Sequence, residues 1–196
     1  PLVPRQLRLE VPERVRFDGS IETPLDTDAV RQAAHQFAEQ NVEAIAVCFL
    51  HAYANPTHEL EAAKVLREEL PNIFISASAD VSPSMREFER WTTVSVNAFT
   101  GPMFDRYLHR LETGLNDSGF SGKLYIMSSS GGMMTTATAR RFPVRALESG
   151  PAAGALMSAS HGRALELENL LSFDMGGTTA KGALVVGGEP IKNYDM

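Results

Sequence analysis

Between Leu170 and Val186 the chain runs from an apolar stretch through a Gly-Gly turn into a second β-prone stretch, and that order leaves it few ways to fold. Leu170-Leu171-Ser172-Phe173 is too short for a helix and reads as a strand. Asp174 stands where that strand ends. Gly176 and Gly177 lack a Cβ and take positive φ at little cost. Thr178 and Thr179 add β-branched stiffness suited to a returning strand, which Ala183-Leu184-Val185-Val186 completes. The expected unit is strand, Gly-rich turn, strand.

A turn of this kind has two readings. One is a plain hairpin with a Gly-Gly turn, a common connection. The other is a phosphate seat. Successive backbone N–H groups form a concave nest of positive partial charge, glycines let a phosphate approach the backbone, and the Thr hydroxyls donate to its oxygens. Asp174 before the glycines and Thr178-Thr179 after them are not required by a plain hairpin. A carboxylate repels bare phosphate, so Asp174 implies a bridging cation, for which Mg²⁺ is the usual choice. The spacing is not that of a Walker loop, and Lys181 is out of register for a Walker lysine.

Composition narrows the class. The chain has 196 residues, 43% apolar, with a formal net charge of −6. That is enough for one large domain or two small ones with an ordinary core. No basic block points to nucleic acid, and no apolar run reaches the ~18 residues of a membrane span. Cys48, the sole cysteine, lies in the apolar run Ala44–Leu50 and reads as a buried thiol. With no signal peptide visible, a cytoplasmic protein is expected. The chain starts at Pro1 rather than Met, so a piece of a longer polypeptide is expected as well.

The remaining elements follow from periodicity. Residues 1–25 read as an extended arm or small hairpin, with Leu7–Val11 alternating like a strand. Thr27 caps a helix over Asp28–Gln40. Val42–Leu50 is a strand, Asn55-Pro56 opens a second helix with Leu60, Ala63, Val65, Leu66 and Leu70 on its apolar side, and Ile73–Ser76 is a strand. Helix–strand–helix–strand order predicts a parallel or mixed sheet covered by helices. Asp80–Pro83 is a loop and the candidate domain break. Met85–Phe99 is helical, with Met85, Phe88 and Trp91 on its core side. Gly101-Pro102 breaks that helix and restarts another to Leu115, burying Met103, Phe104, Tyr107, Leu108 and Leu111. The strand Leu124–Met127 opens into the polar loop Ser128–Gly132, placing Gly131 and Gly132 at a strand's carboxyl end, where ligands sit in open α/β sheets. After a short helix over Thr135–Arg141, Glu148-Ser149-Gly150-Pro151 leads into a helix to about His161. Its start at Gly150 is either an anion site or a place for tight packing. A further strand is expected over Ile191–Tyr194.

Other constellations carry less. The five histidines show no close metal-ligand spacing, and His35 and His109 read as surface residues. No Gly-x-Ser-x-Gly elbow surrounds Ser128, Ser129, Ser130 or Ser149. Glu148 is a base, a metal ligand or a capping carboxylate. The charged run Glu59–Glu69 reads as a solvated helix face.

The motifs Asp174-Met175-Gly176-Gly177-Thr178-Thr179, Glu148-Ser149-Gly150-Pro151-Ala152-Ala153-Gly154 and Ile126-Met127-Ser128-Ser129-Ser130-Gly131-Gly132, with Pro1–Arg5 and Arg86-Glu87-Phe88-Glu89-Arg90, resemble the hydantoinase A/5-oxoprolinase family. That family includes N-methylhydantoinase and the ATP-dependent ketone carboxylases. The resemblance runs over essentially the whole chain in consistent order. It departs in two places: Ser129-Ser130-Gly131-Gly132 stands where members often have Ser-Asn-Gly-Gly, and Lys181 where many have an acidic residue.

The resemblance implies an α/β fold, a partial actin-like, ribonuclease H-like ATPase architecture of mixed sheets flanked by helices. Residues 1–82 would end the family's N-terminal region, and 83–196 would begin the hydantoinase A ATPase-like region with its phosphate-loop hairpin. ATP and Mg²⁺ are the implied cofactors. Asp174, Gly176, Gly177, Thr178, Thr179, Gly131, Gly132 and Gly150 would be the cofactor-binding residues, with Asp174 also on the metal. A companion phosphate loop would lie upstream of Pro1. The implied activity is opening of a cyclic amide of the hydantoin or 5-oxoproline type by carbonyl phosphorylation, with a hydantoinase B-type partner subunit or domain. Alternatives are a ketone carboxylase subunit, a small-molecule kinase of the same fold, and a non-enzymatic actin- or Hsp70-like nucleotide switch.

Overall fold

A computed structural model describes residues 2–192, which divide into two compact units: residues up to Leu115 with Phe142–Val144, and Asn116–Arg141 with the residues from Arg145 onward.

The first unit opens with a short antiparallel hairpin, β1 (Arg14–Val15) and β2 (Ile21–Thr23). Leu7–Val11, expected as a strand, contains only the end of a 3-10 turn, Arg5–Leu7. Helix α1 (Thr27–Glu39) starts one residue earlier than expected, because Asp26 rather than Thr27 is the cap: its side chain accepts the Ala29 N–H at 2.9 Å. Strand β3 (Ala44–Val47), helix α2 (Thr57–Glu69) and strand β4 (Phe74–Ala77) form a β-α-β crossover, with β3 and β4 parallel and Ala44 opposite Phe74. This is the covered parallel pair that the element order predicts. Its core joins Val30 and Ala34 of α1, Ile45 and Val47 of β3, Ala62, Ala63, Val65 and Leu66 of α2, and Ile75 and Ala77 of β4. Leu60, expected in that core, is exposed.

Asp80 lies in a one-turn helix, α3 (Ser78–Val81), rather than a loop. Helix α4 then runs unbroken over Glu87–Asp117, through Gly101 and Pro102. A proline removes one backbone bond from a helix, which on its own predicts a break. The buried stripe Val94, Ala98, Gly101, Leu108 keeps helical spacing across that point, and Gly101 is packed so closely that a Cβ there would lie 2.6 Å from the Phe74 ring. Met85, Phe88, Met103 and Tyr107, expected inside, are exposed.

The second unit contains the antiparallel pair β5 (Tyr125–Met127) and β6 (Met133–Thr135), the short helix α5 (Thr136–Arg141), helix α6 (Ser149–Ala164), and the sheet β7 (Leu170–Met175), β8 (Ala180–Val186), β9 (Glu189–Pro190). The loop Ser128–Gly132 is therefore a hairpin connection, not the open carboxyl end of a parallel strand. β7 and β8 pair antiparallel from Leu170↔Val185 to Met175↔Ala180, as the strand–turn–strand pattern requires. Helix α6 packs on this sheet: a Cβ on Gly162 would lie 2.3 Å from the Leu170 side chain, and Ser158 Oγ donates to Ser172 Oγ at 3.0 Å. Of the strand expected over Ile191–Tyr194, residues 193 and 194 lie outside the described residues. Among the described residues no helix is long and apolar enough to cross a membrane.

Candidate functional site

The site is built from the open end of the β7–β8 hairpin. Strand alternation puts Leu170, Ser172 and Asp174 on one face of β7, and Ser172 is buried against α6. Asp174 is the last of the three and is exposed. The turn residues Gly176, Gly177, Thr178 and Thr179 are all exposed, closed by a backbone bond from Gly176 N–H to Thr179 O of 3.0 Å. A Cβ on Gly177 would meet nothing within 4 Å, and on Gly176 only the Thr179 carbonyl oxygen at 3.9 Å. The turn is thus open to solvent, and its acid is not sunk in apolar surroundings.

Two further charges belong here. Lys181 pairs across the strands with Asp174, so the two side chains share a face about 5 Å apart at Cβ. Lys181 Nζ donates to Glu148 Oε2. Glu148 precedes α6 in the left-handed region, φ 61°, and its side chain makes no cap bond to the helix. The pairing is invisible in the sequence, because nothing local brings positions 33 residues apart together.

Gly150 lies exposed in the first turn of α6, and a Cβ there or on Gly154 would meet nothing within 4 Å. The close-packing reading of Gly150-Pro-Ala-Ala-Gly154 therefore fails, and Gly162 is the glycine that α6 uses for contact. Gly131, with φ +87°, rests against Leu156, at 3.2 Å from where its Cβ would be. Leu156 is six residues beyond Gly150, about 9 Å along the helix, so Gly131 meets the middle of α6 and not its start. Gly132 is exposed. Ser128 is buried and shares a bond with Ser130 Oγ at 2.9 Å, and Ser129 Oγ donates to Arg145 O at 2.7 Å, so these hydroxyls serve the turn.

Asp174 is suited to hold Mg²⁺ directly or through water, since that ion usually takes one or two carboxylates together with substrate phosphates and water. Among the described residues no group of three or more His, Cys, Asp or Glu is gathered for a protein-only cation cage. A recess at the opposite end of the sheet is lined by Arg163, Glu166, Leu167, Glu168, Gly187 and Gly188. Its cation is committed: Arg163 Nη1 donates to Gly188 O at 2.6 Å.

The first unit holds a buried charged cluster. Glu59, expected on a solvated face, is fully buried. Its Oε1 accepts from Phe49 N–H at 2.7 Å and Ser78 Oγ at 2.6 Å, and its Oε2 accepts from Ala79 N–H at 2.7 Å. Arg90, also fully buried, donates from Nε to Ser78 Oγ at 3.1 Å, from Nη1 to Ser84 O at 2.7 Å and from Nη2 to Phe49 O at 3.1 Å. Burial raises the Glu59 pKa, opposed by these hydrogen bonds and by Arg90. Burial, with Glu59 adding to it, pushes the Cys48 thiol up to about 12. This keeps the thiol protonated at neutral pH, although Cys48 is half-buried rather than buried as expected.

Comparisons with known proteins bear on both units. The family model Hydantoinase/oxoprolinase matches residues 90–196, and Hydantoinase/oxoprolinase N-terminal region matches residues 1–70. An uncharacterised protein of Methanocaldococcus jannaschii is 36% identical over 97% of this chain and 28% of its own length. The crystal structure of the ATP-dependent caprolactamase from Pseudomonas jessenii superposes with a TM-score of 0.85 at 34% identity, over 93% of this chain and 26% of that one. Nucleotide-free acetone carboxylase gives a TM-score of 0.83 at 30% identity, over 96% of this chain and 27% of that one. The chain spans about a quarter of the length of these relatives. The α/β architecture, part of an actin-like ATPase fold, is common to all three structures.

Proposed function

The chain belongs to the hydantoinase/oxoprolinase family, and from that premise we propose that it is the phosphate-binding part of an ATP-dependent hydrolase subunit that opens a cyclic amide of the hydantoin or 5-oxoproline type. The observation that carries this reading is the exposed carboxylate of Asp174 at the mouth of an open Gly-Gly-Thr-Thr turn. Backbone N–H groups of Gly176 and Gly177 and the Thr178 and Thr179 hydroxyls would face phosphate oxygens, and Asp174 would hold Mg²⁺, which screens phosphate charge. Gly131, Gly132 and Gly150, all in the second unit, belong to the same proposed binding set. The border between the family's N-terminal region and its ATPase-like region is proposed at 82/83, inside the first compact unit, which runs on to Leu115.

Phosphoryl transfer needs positioning and charge stabilisation more than covalent help from protein. The amide carbonyl oxygen attacks the γ-phosphorus and ADP leaves. Water adds to the activated carbon, the ring C–N bond breaks as nitrogen takes a proton, and a second water releases phosphate from the resulting acyl phosphate. The caprolactamase relative is the alpha subunit of its enzyme, which favours a partner subunit here as well.

A ketone carboxylase is the second reading, favoured by the acetone carboxylase beta subunit of Xanthobacter autotrophicus at 30% identity over 98% of this chain. Product analysis on the full-length protein separates the two: ring-opened acid with free phosphate, or a carboxylated ketone. A stable phosphoester would instead identify a kinase. Asp174→Ala in the full-length protein is expected to lower ATP turnover by about 10²–10³-fold or more. Turnover at the wild-type rate in that variant refutes the assignment.

A further inference from the structure

We propose that Lys181 is the counter-charge for the nucleotide's phosphates and that Glu148 occupies it until they arrive, so that nucleotide binding exchanges one anion for another on a single ammonium group. The inference rests on the reading of the β7–β8 turn as a phosphate seat and goes beyond it by naming the exchangeable partner.

Placement comes first. Lys181 is the second residue of β8, directly across from Asp174 and two residues beyond Thr179. It is the only Lys or Arg between Leu170 and Val186. A polyphosphate seated in the turn would bring several negative charges beside Asp174, and no other cation on the hairpin stands on that face to meet them.

The partner comes second. Glu148 stands at the N-cap of α6, where a side-chain oxygen ordinarily accepts a helix N–H. It makes no such bond, and its carboxylate goes to Lys181 instead. The contact is solvent-washed, with side-chain exposures of 38% for Lys181 and 67% for Glu148. Ion pairs in such settings hold weakly. An ammonium on a flexible four-carbon stem, with three donors to turn, changes partners readily. A phosphate group offers more charge and more acceptor oxygens than one carboxylate.

The two ends of the pair therefore have opposite effects on affinity. Calorimetry with ATP and Mg²⁺ on the full-length protein should show Lys181→Met weakening binding at least tenfold, Lys181→Arg recovering most of that loss, and Glu148→Gln tightening binding threefold or more because a competitor is gone. Log affinity should fall less steeply with log salt in Lys181→Met than in wild type. A pair that only braces the fold would move both variants the same way. Thus weakening by Glu148→Gln overturns the exchange, as does wild-type affinity in Lys181→Met; Glu148→Gln alone decides the matter if Lys181→Met does not fold. Asp174→Ala distinguishes the two levels. If it weakens ATP while the Lys181 and Glu148 variants bind like wild type, the exchange fails and the phosphate seat stands. If Asp174→Ala also binds like wild type, both fall.

Discussion

Each unit of this molecule holds carboxylate and cation close together, on opposite terms. In the first, Glu59 and Arg90 are buried; both carboxylate oxygens accept and all three guanidinium nitrogens donate, to partners in α3 (Ser78 and Ala79) and in the segments that follow β3 (Phe49) and precede α4 (Ser84). In the second, Asp174, Glu148 and Lys181 lie at an open hairpin end, joined by one exposed ion pair. A buried charge must be paired and hydrogen-bonded to be tolerated at all, so a complete partner set marks a brace. A cluster of exposed charges beside empty backbone has no such obligation, which leaves it available for a ligand.

The contrast breaks first at Arg90. Arg90→Met should lower the unfolding free energy by about 3–5 kcal/mol, since it strands the Ser84 and Phe49 carbonyls and leaves Glu59 without its nearby cation. Urea denaturation followed by circular dichroism measures this; a loss under 1 kcal/mol would make the clasp decorative.

Glu59→Gln should cost about 2 kcal/mol, because an amide can keep the two bonds at Oε1 but turns a donor toward Ala79 N–H. The cost should depend on pH. Burial raises the Glu59 pKa above its ordinary 4.5, so the folded chain keeps this proton to higher pH than the unfolded chain. The Glu59 contribution is greatest below pH 4.5 and declines as pH rises through the folded pKa. The difference between wild type and Glu59→Gln should therefore be largest near pH 4 and smaller at pH 8. A difference that grows with pH would reverse the assignment.

Gly101→Ala sharpens the packing side. Alanine favours a helix by about 1 kcal/mol, yet its Cβ would press on the Phe74 ring, and overpacking costs about 1–3 kcal/mol. A net loss of roughly 1 kcal/mol in the same denaturation assay is expected; a gain would mean that β4 and α4 yield easily. Smallest of all, Asp174→Asn should change unfolding free energy by no more than about 0.5 kcal/mol, whatever it does to ATP turnover. A larger change would give Asp174 a bracing role and erase the contrast between the units. Cys48 offers a chemical check: with its thiol near pKa 12, alkylation at pH 8 should be slow in the native chain and rapid in urea.

Much of this was legible from local pattern. A short apolar run, Gly176-Gly177 and a β-branched return specify a hairpin whatever surrounds them, and the β3–α2–β4 crossover follows from periods of two and 3.6. Residues whose fate depends on distant partners were not legible. Glu59 looks like any helix-surface acid until Ser78 and Arg90 arrive from 19 and 31 positions away. Met103 and Tyr107 fit an apolar helix face as well as Val94 and Leu108 do; only packing decides which stripe turns inward. Gly101-Pro102 reads as a break because the eye sees one missing hydrogen bond and not the buried stripe that crosses it. Gly131-Gly132 reads as an open loop because Met133–Thr135 carries too short a β signal to announce the returning strand.

The β7–β8 ladder is clamped at its Gly187 end and held more loosely at its turn end, where the exposed Lys181–Glu148 pair sits one residue pair in from the tip. Near Gly187 and Gly188, the Asn169 side chain, the Glu168 carbonyl and the Arg163 guanidinium all take hold. At the far end a backbone bond from Gly176 to Thr179 closes the turn. Such a ribbon behaves as a cantilever: thermal excursions grow toward its tip, and a load placed there is returned along six registered residue pairs to the root. Amide exchange should accordingly be fastest at Gly177 and Thr178 and slow stepwise toward Leu170, a gradient that an occupied tip would flatten.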